Sequence, residues 1–161
     1  ELSVAHREGS LYPNFQSYST HADCDLVAMG ITAIGMVGDS YSQNVKTLDE
    51  YSARLDGGRL PVFRGIVLSA DDKLRRAVIT QLICHFELNF ARIEQTFNIR
   101  FREYFAAELE ECKAMQADGL LDVQAHSLAV RPAGKLLIRN ICLVFDTSLR
   151  AAHKQQFSKV I

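Results

Sequence analysis

Three features between Asn14 and Val37 bring chemically useful residue types close together. An aromatic ring stands beside an amide (Phe15-Gln16), a polar cluster follows (His21-Ala-Asp-Cys-Asp25), and an apolar run from Leu26 to Val37 is broken by Gly30 and Gly35. A strand whose backbone must approach a ligand needs glycine, because a Cβ would hold the ligand away. An adenine-bearing molecule would use such a wall, with backbone polar groups and an apolar or aromatic surface. The blander account is a buried strand whose glycines serve tight packing, and the pattern alone favours it. The polar cluster supplies metal-ligand residue types within five positions, but metal sites draw their ligands from separate elements held by a supporting shell. A solvated loop with a capping aspartate explains it more simply.

Elsewhere the chemistry is sparse. Cys24, Cys84, Cys112 and Cys142 lie 60, 28 and 30 residues apart, too far for a Cys-x-x-Cys knuckle. Cys84 (Leu-Ile-Cys-His-Phe) and Cys142 (Asn-Ile-Cys-Leu-Val) read as small core residues, and such thiols fit a reducing cytoplasm. His85 follows Cys84 on a helix, where adjacent side chains point about 100° apart and cannot act as a nucleophile–base pair. No phosphate-binding loop, Gly-x-Ser-x-Gly or His-Glu-x-x-His occurs. Arg75, Arg76, Arg100, Arg102, Arg139 and Arg150 would suit a polycarboxylate if they lined a cleft, and are otherwise a solvated face.

The elements that must carry these residues divide near Ser69. Residues 1–69 have a charge balance of −3 and residues 70–161 of +2, within a 161-residue chain of net charge −1 and 48% hydrophobic composition. That is a soluble globular composition with enough apolar material for a core, and it offers nothing to a polyanion. No apolar run is long enough to span a membrane, and no signal peptide is evident.

The first part predicts a helix at Leu2–Glu8 stopped by Gly9, an extended Phe15–Thr20, a buried strand over Leu26–Val37, and a helix opened by a capping box at Thr47-Leu-Asp-Glu50. Leu48, Tyr51 and Leu55 share a face of that helix, and Gly57-Gly58 ends it. The second part predicts a helix opening at Ser69-Ala-Asp-Asp72 with Leu74, Val78, Leu82 and Phe86 on its stripe. A short helix near Ile93–Phe97 follows, then a longer one carrying Phe101, Phe105, Leu109 and Cys112 as far as Gly119. A hairpin of 120–123 with 128–130 leads to a last helix opened by Pro132, with Leu136, Leu137, Ile141, Val144 and Phe145 inward. This order is that of a winged-helix arrangement. DNA binding is disfavoured by Glu103, Glu108, Glu110 and Glu111 on the longest helix.

From Asn14-Phe-Gln-Ser-Tyr-Ser-Thr20 onward the chain resembles one family. Further shared stretches are Asp25–Ile34, Tyr41-Ser-Gln-Asn44, Phe63-Arg-Gly65, Leu82-Ile-Cys84, Leu136–Cys142 with Phe145-Asp146, and Gln156–Ile161. In order and spacing they resemble the bacterial oxygen-independent coproporphyrinogen III oxidases.

The resemblance implies an α+β chain forming the last part of a partial β/α radical S-adenosylmethionine barrel, then a mainly helical, winged-helix-like domain. Residues 1–45 would close the barrel, 46–69 connect, and 70–161 form the helical domain, whose apolar helix faces and arginines suggest that it caps the barrel mouth. It implies oxidative decarboxylation of two propionates of coproporphyrinogen III to vinyl groups, giving protoporphyrinogen IX. A 4Fe–4S cluster and two molecules of S-adenosylmethionine would serve in a cytoplasmic enzyme that is a monomer when intact, with no nucleic acid or membrane partner.

By matching position, Phe15 and Gln16 lie near the family's active site and Ile34 touches a second S-adenosylmethionine. Ser17 stands where glycine is expected. No catalytic residue and no cluster ligand fall in this sequence, so a fragment lacking its cluster-bearing front is expected. The alternatives are a haem-handling relative on the same scaffold, or a non-catalytic winged-helix interaction module.

Overall fold

A computed structural model describes residues 2–8, 11–13, 18–21 and 24–147. Helix α1 (Leu2–Glu8) lies where it is expected, and its Gly9 cap falls outside the described residues. Strands β1 (Tyr12–Pro13) and β2 (Tyr18–Ser19) pair antiparallel. Strand β3 (Ile34–Val37) pairs with β4 (Ser40–Asn44) through a tight turn at Gly38, and β4 pairs with β5 (Val62–Val67), giving a three-stranded antiparallel sheet.

The apolar run 26–37 is not one buried strand. Gly30 (φ 95°) and Thr32 (φ 59°) turn the chain back, and Leu26 and Met36 exchange both backbone hydrogen bonds at 2.7 and 2.8 Å. Val27 and Met29 are 71% and 83% exposed, so the run is not covered along its length. Gly35 has a backbone reason: a Cβ there would lie 2.9 Å from the Leu26 carbonyl oxygen. The close approach is therefore to the chain's own returning segment. Asn44, 3% exposed, holds that segment by donating to the Ala28 and Gly30 carbonyls, while Tyr51 accepts from the Gly30 N–H.

Between β4 and β5 runs α2 (Leu48–Asp56), closed at Gly57 with Gly58 at φ 67°. Thr47 is its N-cap, but its side chain makes no capping bond, and Leu48 and Leu55 are exposed. The capping box expected there does not form; the helix lies on the outside, tied to β5 through Arg54 to the Val62 carbonyl.

Helix α3 (Ala70–His85) has the expected capping box. The Ser69 hydroxyl accepts from the Asp72 N–H, and the Asp72 carboxylate accepts from the Ser69 N–H. Leu74, Val78 and Leu82 are buried at helical spacing. Phe86 ends it in the left-handed region (φ 57°), turning the chain into β6 (Glu87–Asn89), a strand the sequence reading did not include. Helices α4 (Phe90–Phe97), α5 (Phe101–Tyr104) and α6 (Ala106–Ala117) follow, then β7 (Leu121–Val123) and β8 (Ser127–Val130), whose sheet order is β6-β8-β7.

The single helix expected to carry Phe101 to Cys112 as far as Gly119 is broken at Phe105 (φ −102°, ψ 29°), yet Phe101, Phe105, Leu109 and Cys112 are all buried. Phe90 stacks on Phe101 at 4.2 Å, Phe101 lies 4.7 Å from Phe105, and Phe105 meets Phe145 edge-on at 5.7 Å.

The last helix is likewise two pieces, α7 (Pro132–Lys135) and α8 (Ile138–Phe145). Leu136 is 89% exposed and Leu137 is exposed too, which corrects their expected inward placement. Gly134 is pressed against the Leu120 carbonyl, where a Cβ would lie 2.0 Å from the oxygen; this fixes how α7 sits, and the bend at Leu137 re-aims the chain. Ile141, Cys142, Val144 and Phe145 then enter the core shared with α3, α4–α6 and the β6-β8-β7 sheet. Among the described residues no helix is long and apolar enough to cross a membrane.

Candidate functional site

A cavity of about 430 Å³ opens between the sheet β3-β4-β5 and helix α3. Antiparallel register builds its floor: Met36, Tyr41 and Ile66 are cross-strand partners in one row, and all three line it. Side chains alternate along a strand, so Ile34 shares the Met36 face, about 7 Å further along. Its own row continues through Gln43 to Arg64, whose guanidinium donates to the Gln43 side-chain oxygen at 3.0 Å. Helix α3 forms the roof with Arg76, Ile79 and Thr80; Tyr12 closes one side, and Asp146 with Thr147 the other.

The two adjacent arginines of α3 have different surroundings. Arg75 is committed inward: it donates to Asp71 (2.8 Å), to Glu108 (2.8 Å) and to the Phe145 carbonyl (3.1 Å), and it lies over the Phe105 ring. Glu108 is 6% exposed, and this ion pair compensates its burial. Arg76 turns to the cavity. Its guanidinium donates to the Tyr41 hydroxyl (3.3 Å) and the Met36 sulfur (3.5 Å) and lies over the Tyr41 ring at 5.9 Å. Among the described residues no carboxylate is within ion-pairing distance of it. Burial works against its charge, but the Tyr41 hydrogen bond and the nearby Tyr12, Tyr41 and Asp39 outweigh that and hold it ionised. Burial also raises the Tyr12 phenol above its usual value, against the lowering influence of Arg76.

Of the residues singled out in the sequence, Ile34 opens β3 on the cavity-facing side, while Phe15 and Gln16 lie outside the described residues. In the polar cluster, His21 and Cys24 are exposed, Asp23 is outside the described residues, and the Asp25 carboxylate accepts from the Gly38 N–H at 2.8 Å. That aspartate ties the loop to the β3–β4 turn. Cys84, Cys112 and Cys142 are buried as expected, and burial is the main cause lifting their thiols to about 11, 11 and 12. Among the described residues no three His, Cys, Asp or Glu side chains are grouped to hold a metal. The described cysteines therefore do not fit an iron–sulfur cluster, which needs clustered thiolates.

Tyr12 was not marked by the sequence, Tyr41 was marked only within a stretch shared with the family, and Arg76 only within a group of six arginines. The signal that singles it out is spatial: α3 crosses the sheet with Arg75 on its core side and Arg76 on its sheet side.

Residues 68–137, covering α3 through α7, match the HemN C-terminal domain family. The whole chain is 47% identical to an oxygen-independent coproporphyrinogen III oxidase of Pseudomonas aeruginosa, covering 100% of this chain and 35% of that protein. A protein of the same name from Escherichia coli K12 is 49% identical over 162 residues, again 100% of this chain and 35% of the relative. A solved structure described as "Coproporphyrinogen III oxidase (HemN) from Escherichia coli is a Radical SAM enzyme" superposes with a TM-score of 0.88 at 47% identity, covering 92% of this chain and 34% of that one. The chain thus spans about a third of the length of these relatives. Its sequence is similar along its whole length, and its backbone over 92% of it, to oxygen-independent coproporphyrinogen III oxidases, and its second part matches the HemN C-terminal domain.

Proposed function

We propose that this chain is the part of an oxygen-independent coproporphyrinogen III oxidase that forms one wall and the cover of its reaction chamber. The whole enzyme converts two propionate side chains of coproporphyrinogen III to vinyl groups and yields protoporphyrinogen IX. Each conversion removes carbon dioxide, one proton and two electrons from a propionate. A 4Fe–4S cluster and S-adenosylmethionine supply the radical chemistry when bound. The described cysteines do not fit the cluster, so its ligands lie elsewhere in the enzyme. Ile34 fits a cofactor contact as an apolar side chain on the cavity-facing row of β3; Phe15 and Gln16 are assigned to the same neighbourhood by the resemblance alone.

On this reading β3 and β4 adjoin the end of the barrel, the connector 46–69 adds β5 to their sheet, and the winged-helix-like unit from residue 70 lies over the barrel mouth, where β/α barrels place their chemistry. Supporting that cover role, α3 lies across the same sheet face that carries Ile34 and Met36, leaving a cavity between them. The enzyme is proposed to be cytoplasmic and, when intact, a monomer. The single observation that carries the reading is the likeness to the E. coli enzyme across 92% of this chain.

The full-length gene product carrying this chain tests it. Purified without oxygen and given S-adenosylmethionine, a strong reductant and coproporphyrinogen III, it should release carbon dioxide and form protoporphyrinogen IX, measured after oxidation by chromatography. A cluster-loaded, S-adenosylmethionine-cleaving preparation that leaves all four propionates intact would rule the oxidase out.

A further inference from the structure

The cavity beneath α3 combines an apolar floor with one cation, Arg76, that has no carboxylate partner in contact among the described residues. Met36, Ile66 and Ile79 are hydrocarbon and thioether walls, Tyr12 and Tyr41 add rings, and the Arg76 guanidinium enters from the roof. A half-buried guanidinium meeting only a phenol, a thioether and a ring face among the described residues keeps several N–H donors available, and its planar fork matches a carboxylate in two places. The acidic groups nearby are already engaged: Asp72 caps α3, Asp39 is bonded to Lys73 at 2.9 Å, and Asp146 also has its own interaction at the cavity's edge. Arg75 also reaches the lining, but its donors are taken by Asp71, Glu108 and the Phe145 carbonyl.

Size narrows the ligand. About 430 Å³ is at the small end of ligand cavities, enough for one edge of a large ring compound rather than the whole of it. We propose that the cavity receives one pyrrole edge of the tetrapyrrole substrate, and that Arg76 binds the carboxylate of the side chain on that edge. The assignment rests on the oxidase reading and adds to it a substrate-binding residue. Ile34 stands one cross-strand pair along from Met36 on the same sheet face, so the edge held by Arg76 lies about 7 Å along the strand from the row proposed to meet the cofactor. Binding there holds the carboxylate end of the substrate by charge and its ring by apolar contact, leaving the rest of the macrocycle to extend along the sheet.

The test uses the full-length, cluster-loaded enzyme with the variants Arg76→Met and Arg76→Lys. Losing a charge-assisted contact of this kind raises KM for coproporphyrinogen III by about ten- to a hundred-fold. Two readouts that a merely structural role would disturb should stay unchanged: the melting temperature, and the rate of S-adenosylmethionine cleavage without porphyrinogen. Arg76→Lys, which keeps the charge but not the fork, should recover part of the affinity. Binding of a tetra-acid porphyrin, followed by fluorescence, should weaken in Arg76→Met, while binding of its tetra-ester should not.

A wild-type enzyme without oxidase activity sinks the oxidase reading itself. An active wild type whose Arg76→Met variant keeps its KM, or loses acid and ester binding equally, overturns the assignment of Arg76 alone. If Arg76→Met does not fold, Arg76→Lys decides: an unchanged KM together with unchanged tetra-acid affinity overturns the assignment.

Discussion

Arg75 and Arg76 are neighbours in the chain and opposites in environment. Arg75 joins Asp71, Glu108 and the Phe145 carbonyl, and lies over Phe105. Glu108 is almost fully covered, so removing it leaves a largely buried guanidinium with Asp71, itself partly exposed, as its remaining carboxylate partner among the described residues. Glu108→Ala should cost about 3 kcal/mol of unfolding free energy, the low end for breaking a buried pair. The measurement is a urea melt, with the midpoint falling at unchanged slope. A loss of only about 0.5 kcal/mol would place the pair with ordinary surface ion pairs and refute its role in the core. Gly35 belongs to the same scale. The sequence marks it as a place of close approach, and the structure identifies the partner as the Leu26 carbonyl. No one-dimensional pattern could distinguish that carbonyl from a ligand atom, because both ask only that a Cβ be absent.

At the scale of elements, α3 links the two parts: its start is capped at Ser69, its core stripe packs under α8, and its other face roofs the cavity. Asp71 in its first turn accepts from the Tyr104 hydroxyl at 2.6 Å and from Arg75. Partial burial alone would raise its carboxyl; the Tyr104 and Arg75 hydrogen bonds outweigh that and hold it below the usual aspartate value. A carboxyl with a depressed folded pKa contributes stability that is present above its unfolded value of about 3.9 and lost as pH falls through the folded value. Stability should therefore decline in that acid range, and Asp71→Asn should flatten this part of the pH dependence in urea melts. An identical acid slope in the variant would show that Asp71 contributes nothing to it.

Element existence was readable where periodicity and caps agree, as in α3 with its Ser69–Asp72 box and buried Leu74, Val78 and Leu82. It was not readable where the chain bends without glycine or proline. Phe86 adopts left-handed backbone and Phe105 breaks a helix because packing of the aromatic cluster offsets the local strain, while Asn98 enters the left-handed region as asparagine readily does.

For the whole molecule, the described cysteines bear on where iron can sit. Cys84, Cys112 and Cys142 are buried with their thiols raised to about 11, 11 and 12, and Cys24 lies apart on the surface. A ligating thiol must ionise and must have partners beside it. Residues 1–161 expressed alone and reconstituted without oxygen with iron and sulfide should bind neither stoichiometrically and show no cluster absorbance. Four irons and four sulfides per chain would overturn both the thiol argument and the assignment of the ligands elsewhere.

The family resemblance, composition class and main helices were legible in the sequence, because ordered short motifs, apolar spacing and capping residues act locally and survive being read one residue at a time. The cavity was decided only by the tertiary structure. It depends on register, which puts Met36, Tyr41 and Ile66 in one row, and on the roll of α3, which sends Arg75 to the core and Arg76 to the sheet. The register is set by pairs 5 and 25 positions apart and the roll of α3 by contacts 33 to 70 positions apart, and two consecutive arginines carry no mark of which way each will turn.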